Sequence, residues 1–287
     1  MKKQIIFVLK STETYLIEAL KGLVEFCVES DCACFVADAA HADATNLPVF
    51  ENSPTSHPFL IVTLGGDGTL LRAVRRFYQY DAPFLGIKFG KLGFLTGARL
   101  EDAQEAIDGV LHETACVERR NLVQVKVIQD GACVTTEYAL NEVVVGRVPG
   151  APLVTTRLNI NNHELYTSSG DGLIVSTSTG STAYALSAGG PIMSPEYAGL
   201  VVVPLASHTL IQRAVVTAPH EIISIDFPDM ARSFVELTFD GIIAQQYQHP
   251  DRVEVRAAEK DVALIKLDNR LFYETVASEF FHVQQED

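Results

Sequence analysis

Gly65-Gly66-Asp67-Gly68-Thr69 follows the apolar run Phe59-Leu60-Ile61-Val62-Thr63-Leu64 and precedes Leu70-Leu71-Arg72-Ala73-Val74. That order predicts a buried strand, a glycine turn and a helix. A helix N-terminus presents N–H groups that no helix carbonyl reaches, and such groups attract phosphate. Glycines let the backbone approach an anion with no Cβ in the way. Gly65, Gly66, Gly68 and Thr69 are therefore candidate phosphate-binding residues. Asp67 is the anomaly. A carboxylate in a phosphate nest repels the anion unless it accepts a proton or holds a metal. The bland alternative is a strand–helix turn capped by an aspartate. Arg72, one turn on, either adds a cationic contact or is a solvated surface arginine.

A second cluster runs from Ser168 to Pro191 and gathers hydroxyls, glycines and the carboxylate of Asp171 at a strand-to-helix switch. Thr179-Gly180-Ser181-Thr182 offers a helix start with free N–H groups and several hydroxyls, a cradle for a polar ligand or a Ser/Thr-rich cap. Asn141-Glu142 precedes Val143-Val144-Val145. As a dipeptide it is uninformative, since a charged residue beside an apolar strand often marks only an exposed end. Ala185-Leu186-Ser187-Ala188-Gly189 looks like a degenerate nucleophile elbow. Its serine falls in a helical run and not in a sharp strand-to-helix turn, so a hydrolase is rejected. His208-Thr209 follows a strand as polar loop or site. The sequence contains no GxGxxG and no Walker lysine motif.

The elements that must position these residues follow from apolar patterning. Ile5–Leu9 reads as a strand buried on both faces. Thr12–Val28 has helical spacing, with Ser11 or Thr12 as cap. Cys34-Phe35-Val36 and Pro83–Ile87 are short strands, residues from His41 to His57 a loop, and Leu100–Leu111 a helix. Alternating strands and helices argue for a parallel, doubly wound sheet. Near Thr114 the pattern changes to strands: Leu122–Ile128 and Thr135–Ala139 about an Asp130-Gly131 turn, then Leu153–Ile160 ending at Asn161-Asn162. Leu173–Ser176, Leu200–Pro204, Glu221–Phe227, Phe234–Phe239, Arg252–Ala257 and Val262–Leu267 follow. A helix over Ser181–Ala188 interrupts them, and Phe272–Phe281 is a closing amphipathic helix expected to pack on the first domain. The expected division is an α/β domain over 1–113 with about 268–287, and an antiparallel β domain over 114–267.

Composition bounds the function. The 287 residues carry a net charge of −14, with 47% hydrophobic and 20% charged residues, which fits a globular chain with a substantial core. Arg75-Arg76 and Arg119-Arg120 are isolated pairs, so no basic patch supports nucleic-acid binding. An acidic protein that binds anions needs local dipoles, a few placed cations or a divalent metal. Cys27, Cys32, Cys34, Cys116 and Cys133 show no Cys-x-x-Cys spacing, which fits free thiols and a reducing cytoplasm. Cys32 and Cys34 read as small buried residues. The N-terminus lacks the pattern of a signal peptide, and no run is long enough to span a membrane.

Taken together the motifs resemble the NAD kinase family. The resemblance rests on Gly65–Thr69, on Leu85-Gly86-Ile87-Lys88-Phe89-Gly90-Lys91-Leu92-Gly93-Phe94-Leu95-Thr96, on Asn141–Val145 and on Asp171–Pro191. Ser207–Arg213 and Asp240-Gly241 add to it. GGDGT alone is shared with diacylglycerol kinases and, loosely, with phosphofructokinases; Thr-Gly-Ser-Thr-Ala-Tyr is far more specific. The resemblance implies a Rossmann-like first domain, a β-sandwich second domain and a site between them. It implies phosphoryl transfer from ATP, another triphosphate or polyphosphate to the 2′-hydroxyl of the adenosine ribose of NAD, giving NADP. Asp67 is then the catalytic base and a substrate contact, with Mg²⁺ or another divalent metal offsetting charge. Gly68, Arg72, Asn141, Glu142, Thr182, Ala183, Tyr184, Ala185, Leu186 and Ser187 contact NAD. Asp171 also contacts NAD and lines the site of a neighbouring subunit in a homodimer or homotetramer.

Lys88 stands where the family commonly has Asn, Ser178 where it has Pro, Ser169 where a basic residue is frequent and Ile242 where Gln is usual. The missing basic residue and Gln touch peripheral dinucleotide contacts and not the catalytic core. A lipid or sugar kinase of the wider GGDGT group and a non-catalytic dinucleotide-binding regulator are the competing readings. A pure binder gains nothing from a carboxylate beside phosphates.

Overall fold

The computed structural model describes residues 2–53, 56–207, 212–229, 234–267 and 272–281. The chain divides into two compact units, Met1–Arg119 with Val262–Asp287, and Arg120–Asp261.

The first unit alternates strand and helix: β1 (Lys3–Leu9), α1 (Thr14–Glu29), β2 (Cys32–Val36), α2 (Ala39–Thr45), β3 (Leu60–Leu64), α3 (Asp67–Phe77), β4 (Phe84–Lys88), β5 (Ala98–Arg99) and α4 (Ala103–Leu111). The strands pair in parallel in the order β2-β1-β3-β4, with β5 beside the end of β4. Every residue of β3 and the last five of β1 are buried. That is why they read as unbroken apolar runs: a parallel strand is covered on both faces. Leu16, Leu20, Leu23 and Cys27 of α1 bury one stripe against the sheet. The expected Ser11 or Thr12 cap is not formed; Glu13 occupies the cap position with no side-chain bond, and Ser11 Oγ donates to Glu13.

The second unit contains β6 (Cys116–Gln129), β7 (Ala132–Ala139), β8 (Glu142–Arg147), β9 (Val154–Ile160), β10 (His163–Gly170), β11 (Gly172–Thr177), α5 (Tyr184–Ser187), β12 (Leu200–Leu205), β13 (Val215–Thr217), β14 (Ile223–Asp226), β15 (Phe234–Phe239), β16 (Ile243–Gln248) and β17 (Arg252–Lys266). One antiparallel layer runs β10-β9-β14-β17, with the β6–β7 hairpin joined at β17; the other runs β13-β12-β11-β8-β15-β16. A single buried cluster takes Val123, Leu158, Ile225 and Val253 from the first layer and Val145, Val175, Val202 and Leu237 from the second, a two-sheet sandwich. The Asp130-Gly131 and Asn161-Asn162 turns have positive φ at both positions, as the tight turns that match strand twist require.

The last strand leaves the second unit and ends in the first, where Leu264 pairs in parallel with Phe84. Beyond it α6 (Phe272–Val276) continues into a wider π-turn over Ala277–Phe281. Phe94 packs against Phe272 and stacks on Phe280, and Lys91 pairs with Glu279 at 2.6 Å. The closing helix therefore packs on the first unit, as expected.

Several elements differ from the sequence reading. The stretch from His41 to His57 is not all loop, because the alanine-rich segment Ala39–Thr45 forms α2 and ends at Asn46 in the left-handed region. Alanine propensity outweighs the polar residues there. The expected Ser181–Ala188 helix is broken: a 3-10 turn over Gly180–Thr182 and the short α5 are separated at Ala183, whose φ is −103° and ψ −128°. Arg252–Ala257 and Val262–Leu267 belong to one strand, β17, carried through the polar Glu259-Lys260-Asp261. Asn141-Glu142, uninformative as a dipeptide, is buried, at 8% and 5% exposure. Cys27, Cys32 and Cys34 are buried free thiols, and Cys116 and Cys133 exposed ones. Among the described residues no helix is long and apolar enough to cross a membrane.

Candidate active site

In the first unit the glycine turn sits at the C-terminal end of β3. Gly66, and not Asp67, takes the cap position of α3, and its carbonyl accepts from Thr69 at 2.9 Å. Gly65 has a φ of 157°, and a Cβ there would press into Thr69 Oγ1, so this position needs glycine for its own fold. Gly66 and Gly68 differ: a Cβ on either would meet nothing within 4 Å. Among the described residues no atom requires glycine at these two positions. An open approach to the first amides of α3 is what they leave, and an anion fits there. Arg72 Nη2 donates to Thr69 Oγ1 at 3.4 Å, which draws this exposed guanidinium back toward the same helix end.

The Asp67 carboxylate lies over the loop after β4. Phe94 N–H donates to Oδ2 at 3.0 Å and Thr96 N–H to Oδ1 at 3.3 Å. A carboxylate offers about four acceptor sites, so the two bonds orient the group and leave it able to accept again. The fit is close: a Cβ on Gly93 would collide with both Asp67 oxygens. Gly93 N–H itself donates to Thr96 Oγ1 at 2.9 Å, and Lys266 Nζ donates to the carbonyls of Phe94 and Thr96 at 3.0 and 2.9 Å.

In the second unit Asn141 and Glu142 begin β8 beside Asp240, which follows β15 with a φ of 51°. The Asp240 carboxylate accepts the N–H groups of Leu140, Asn141 and Glu142 at 3.0, 2.7 and 3.2 Å. Asn141 Oδ1 and Glu142 Oε2 are buried and meet no hydrogen-bond partner among the described residues. Burial, and secondly the charge of Asp240, pushes the Glu142 carboxyl up to about 8, so it can donate as an acid as well as accept.

The Asn141 carbonyl accepts from Thr177 N–H at 2.8 Å, Ser176 Oγ at 3.1 Å and Thr177 Oγ1 at 3.2 Å. A Cβ on Gly180 would collide with that carbonyl. The structure thus brings Asn141, Glu142 and the start of the Gly180–Ser187 turn together. Several hydroxyls that read as ligand donors hold backbone instead. Ser181 Oγ donates to Ser178 O at 2.6 Å and accepts from Met193 N–H at 3.0 Å. Ala185 is buried with Ile174, Met193, Val201 and Val203 under the turn. Thr182, Ala183 and Leu186 are half-buried, and Tyr184 and Ser187 exposed.

Asp171 is elsewhere. In the β8–β11 register Ser176 faces Glu142 and Gly172 faces Gly146, so about 17 Å of strand separates Asp171 from Glu142. Arg147 Nε donates to Asp171 Oδ1 at 2.6 Å. His208, Thr209, Leu210 and Ile211 lie outside the described residues. Sequence reasoning did not single out Gly93 or Lys266. A lone glycine in a loop and a lone lysine at a strand end carry no pattern, whereas Asp240 had a signal in the Asp-Gly step after β15.

Residues 6–115 match the model of the ATP-NAD kinase N-terminal domain, and residues 140–267 that of the ATP-NAD kinase C-terminal domain. The chain belongs to the NAD kinase family. It is 33% identical to an NAD kinase of Ruminiclostridium cellulolyticum over 79% of each chain. It is 35% identical to one of Delftia acidovorans over 86% of this chain and 83% of that one. Among solved structures, yeast NADH kinase complexed with NADH superposes with a TM-score of 0.87 at 22% identity, covering 100% of this chain and 89% of that one. An NAD kinase from Archaeoglobus fulgidus in complex with ATP gives 0.74 at 23%, covering 96% and 99%. These two likenesses show the fold. Membership makes the chain an NAD kinase by enzyme class, phosphorylating NAD with ATP, and sets aside the lipid-kinase and non-catalytic readings.

Proposed function

We propose that this NAD kinase transfers the terminal phosphoryl group of ATP to the 2′-hydroxyl of the adenosine ribose of NAD, with Asp67 as proton acceptor. The ribose oxygen forms a bond to phosphorus, the bond from phosphorus to the leaving diphosphate oxygen breaks, and the hydroxyl proton passes to the Asp67 carboxylate. Phosphoryl transfer asks little covalent chemistry of a protein; it asks for alignment and charge stabilisation. The observation that carries this reading is the orientation of Asp67 by the Phe94 and Thr96 amides, beside a helix end left open at Gly66 and Gly68. Gly65 and Thr69 shape that end, Gly66 and Gly68 expose its amides to donor phosphates, and Arg72 adds positive charge.

The buried free oxygens of Asn141 and Glu142 suit NAD, with the Thr182, Ala183, Tyr184, Ala185, Leu186 and Ser187 turn beside them. Asp171, displaced along β11, suits an NAD bound by a neighbouring subunit of a homodimer or homotetramer. Polyphosphate and other triphosphates share the terminal group of ATP and are further candidate donors. The buried thiols fit a reducing cytoplasm.

Among the described residues no group of three or more His, Cys, Asp or Glu side chains is placed to share a metal ion. Magnesium carried on donor phosphates needs only one or two carboxylates and keeps several waters. An ion carried in this way on the donor phosphates would neutralise their charge and leave Asp67 to accept the proton. The test is product analysis: NAD, ATP and Mg²⁺ with the purified protein, the new phosphate located by phosphorus–proton correlation NMR. A phosphate on the adenosine 2′-oxygen is expected. A phosphate on any other hydroxyl overturns the reading.

A further inference from the structure

We propose that Lys266 is a positioning residue for the phosphoryl transfer, fixing the Asp67 carboxylate through the peptide groups of Phe94 and Thr96. The inference rests on the reading of Asp67 as proton acceptor. The two residues are gripped from both sides. Their N–H groups donate to Asp67 Oδ2 and Oδ1 at 3.0 and 3.3 Å, and their carbonyls accept from Lys266 Nζ at 3.0 and 2.9 Å. A carboxylate and an ammonium thus clamp one short loop, and hydrogen bonds to charged groups are the strong kind.

The loop needs this support. Between β4 and β5 the chain is irregular; besides the packing of Phe94 on Phe272 and Phe280 and the Lys91–Glu279 pair, its ties include Gly93 N–H to Thr96 Oγ1, Gly97 N–H to Gly86 O at 2.8 Å and Leu267 N–H to Gly97 O at 3.0 Å. Leu95, between the gripped residues, is buried at 3%. Lys266 is delivered by the end of β17, where Leu264 pairs with Phe84 and Ile265 is buried. The ammonium donates to the carbonyls of the same two residues whose N–H groups hold Asp67, so it acts on the carboxylate through the loop. Removing it frees the Phe94 and Thr96 peptides to turn, and the carboxylate they orient turns with them. Displacement of a reacting group by about 1 Å can cost on the order of 100-fold in rate.

The experiment compares K266M, K266R, D67N and the D67N/K266M double variant by steady-state NADP formation and thermal melting. K266M is expected to lower kcat about 10- to 100-fold with KM for NAD and ATP near the wild-type values. K266R, which keeps the charge, is expected to recover most of the loss. In the D67N background K266M is expected to add nothing further, since the group it positions is gone. Should K266M fail to fold, K266Q carries the same comparison. A folded K266M with unchanged kcat, a loss confined to KM, K266R no better than K266M, or an additive double variant overturns the proposal. Normal turnover in D67N would instead remove the proton-acceptor reading. Impaired D67N beside normal K266M removes only the role of Lys266.

Discussion

Two carboxyl groups have opposite surroundings in this protein, and the difference assigns them different work. Asp67 accepts two backbone N–H groups, which fix the direction its carboxylate faces. Glu142 is buried near Asp240, with one oxygen that meets no partner among the described residues, and is pushed up to about 8. The sign for stability follows. The folded chain keeps the Glu142 proton where the unfolded chain, with an ordinary value of 4.5, has released it. The folded state therefore binds more protons between about pH 4.5 and 8, and this group's contribution is present at the acid end and lost as pH rises. E142Q removes that loss. Its melting temperature is expected to gain on the wild type between pH 5 and pH 8, by a few degrees. Parallel melting curves at the two pH values with a constant offset would contradict the burial of an ionisable group there.

At the scale of elements, the strand–turn–helix unit makes a contrast between two glycines testable. Gly68 faces open space in the first turn of α3, and alanine there favours the helix by up to about 1 kcal/mol. G68A is expected to hold or raise the melting temperature while KM for ATP rises about tenfold, a change of roughly 1.4 kcal/mol. Gly93 has no such room, because a Cβ would strike the Asp67 carboxylate. G93A is expected to lower both the melting temperature and kcat. Equal behaviour of the two variants, measured by melting and steady-state kinetics, would deny that one site is open and the other closed.

The same unit was legible in the sequence for a physical reason. A strand covered on both faces must be apolar throughout, and a phosphate-ready helix start must spare side chains. The β1 and β3 runs and both hairpin turns were legible on those grounds. Long-range backbone pairing was not. The polar Glu259-Lys260-Asp261 reads as a break, yet β17 continues through it. The grip of Asp240 on three amides joins residues about a hundred positions apart, and no local pattern encodes it. Hydroxyls of Ser176, Thr177 and Ser181 read as ligand donors because spacing cannot tell a hydroxyl facing a ligand from one bound to a nearby carbonyl.

For the whole molecule, the distance of Asp171 from Glu142 along β11 bears on assembly. If Asp171 serves the NAD of a neighbouring subunit, D67N and D171A subunits carry defects in different places. Mixing and reassembling them is expected to recover activity that neither parent shows, because hybrids then hold intact sites. Mixtures as inactive as their parents would contradict the shared-site reading. The lack of a metal cage among the described residues carries a second expectation. Chelation by EDTA is expected to abolish activity, with Mg²⁺ restoring it, while the melting temperature stays unchanged. A fall in melting temperature would reveal a structural ion.

The most direct measurement for the whole account is the turnover of D67N with NAD, ATP and Mg²⁺. The substitution keeps size and shape and removes the ability to take a proton. A drop in kcat of about 10² to 10⁴ is predicted, with NAD still raising the melting temperature as binding must. NADP formation at a rate near that of the unaltered enzyme would contradict it.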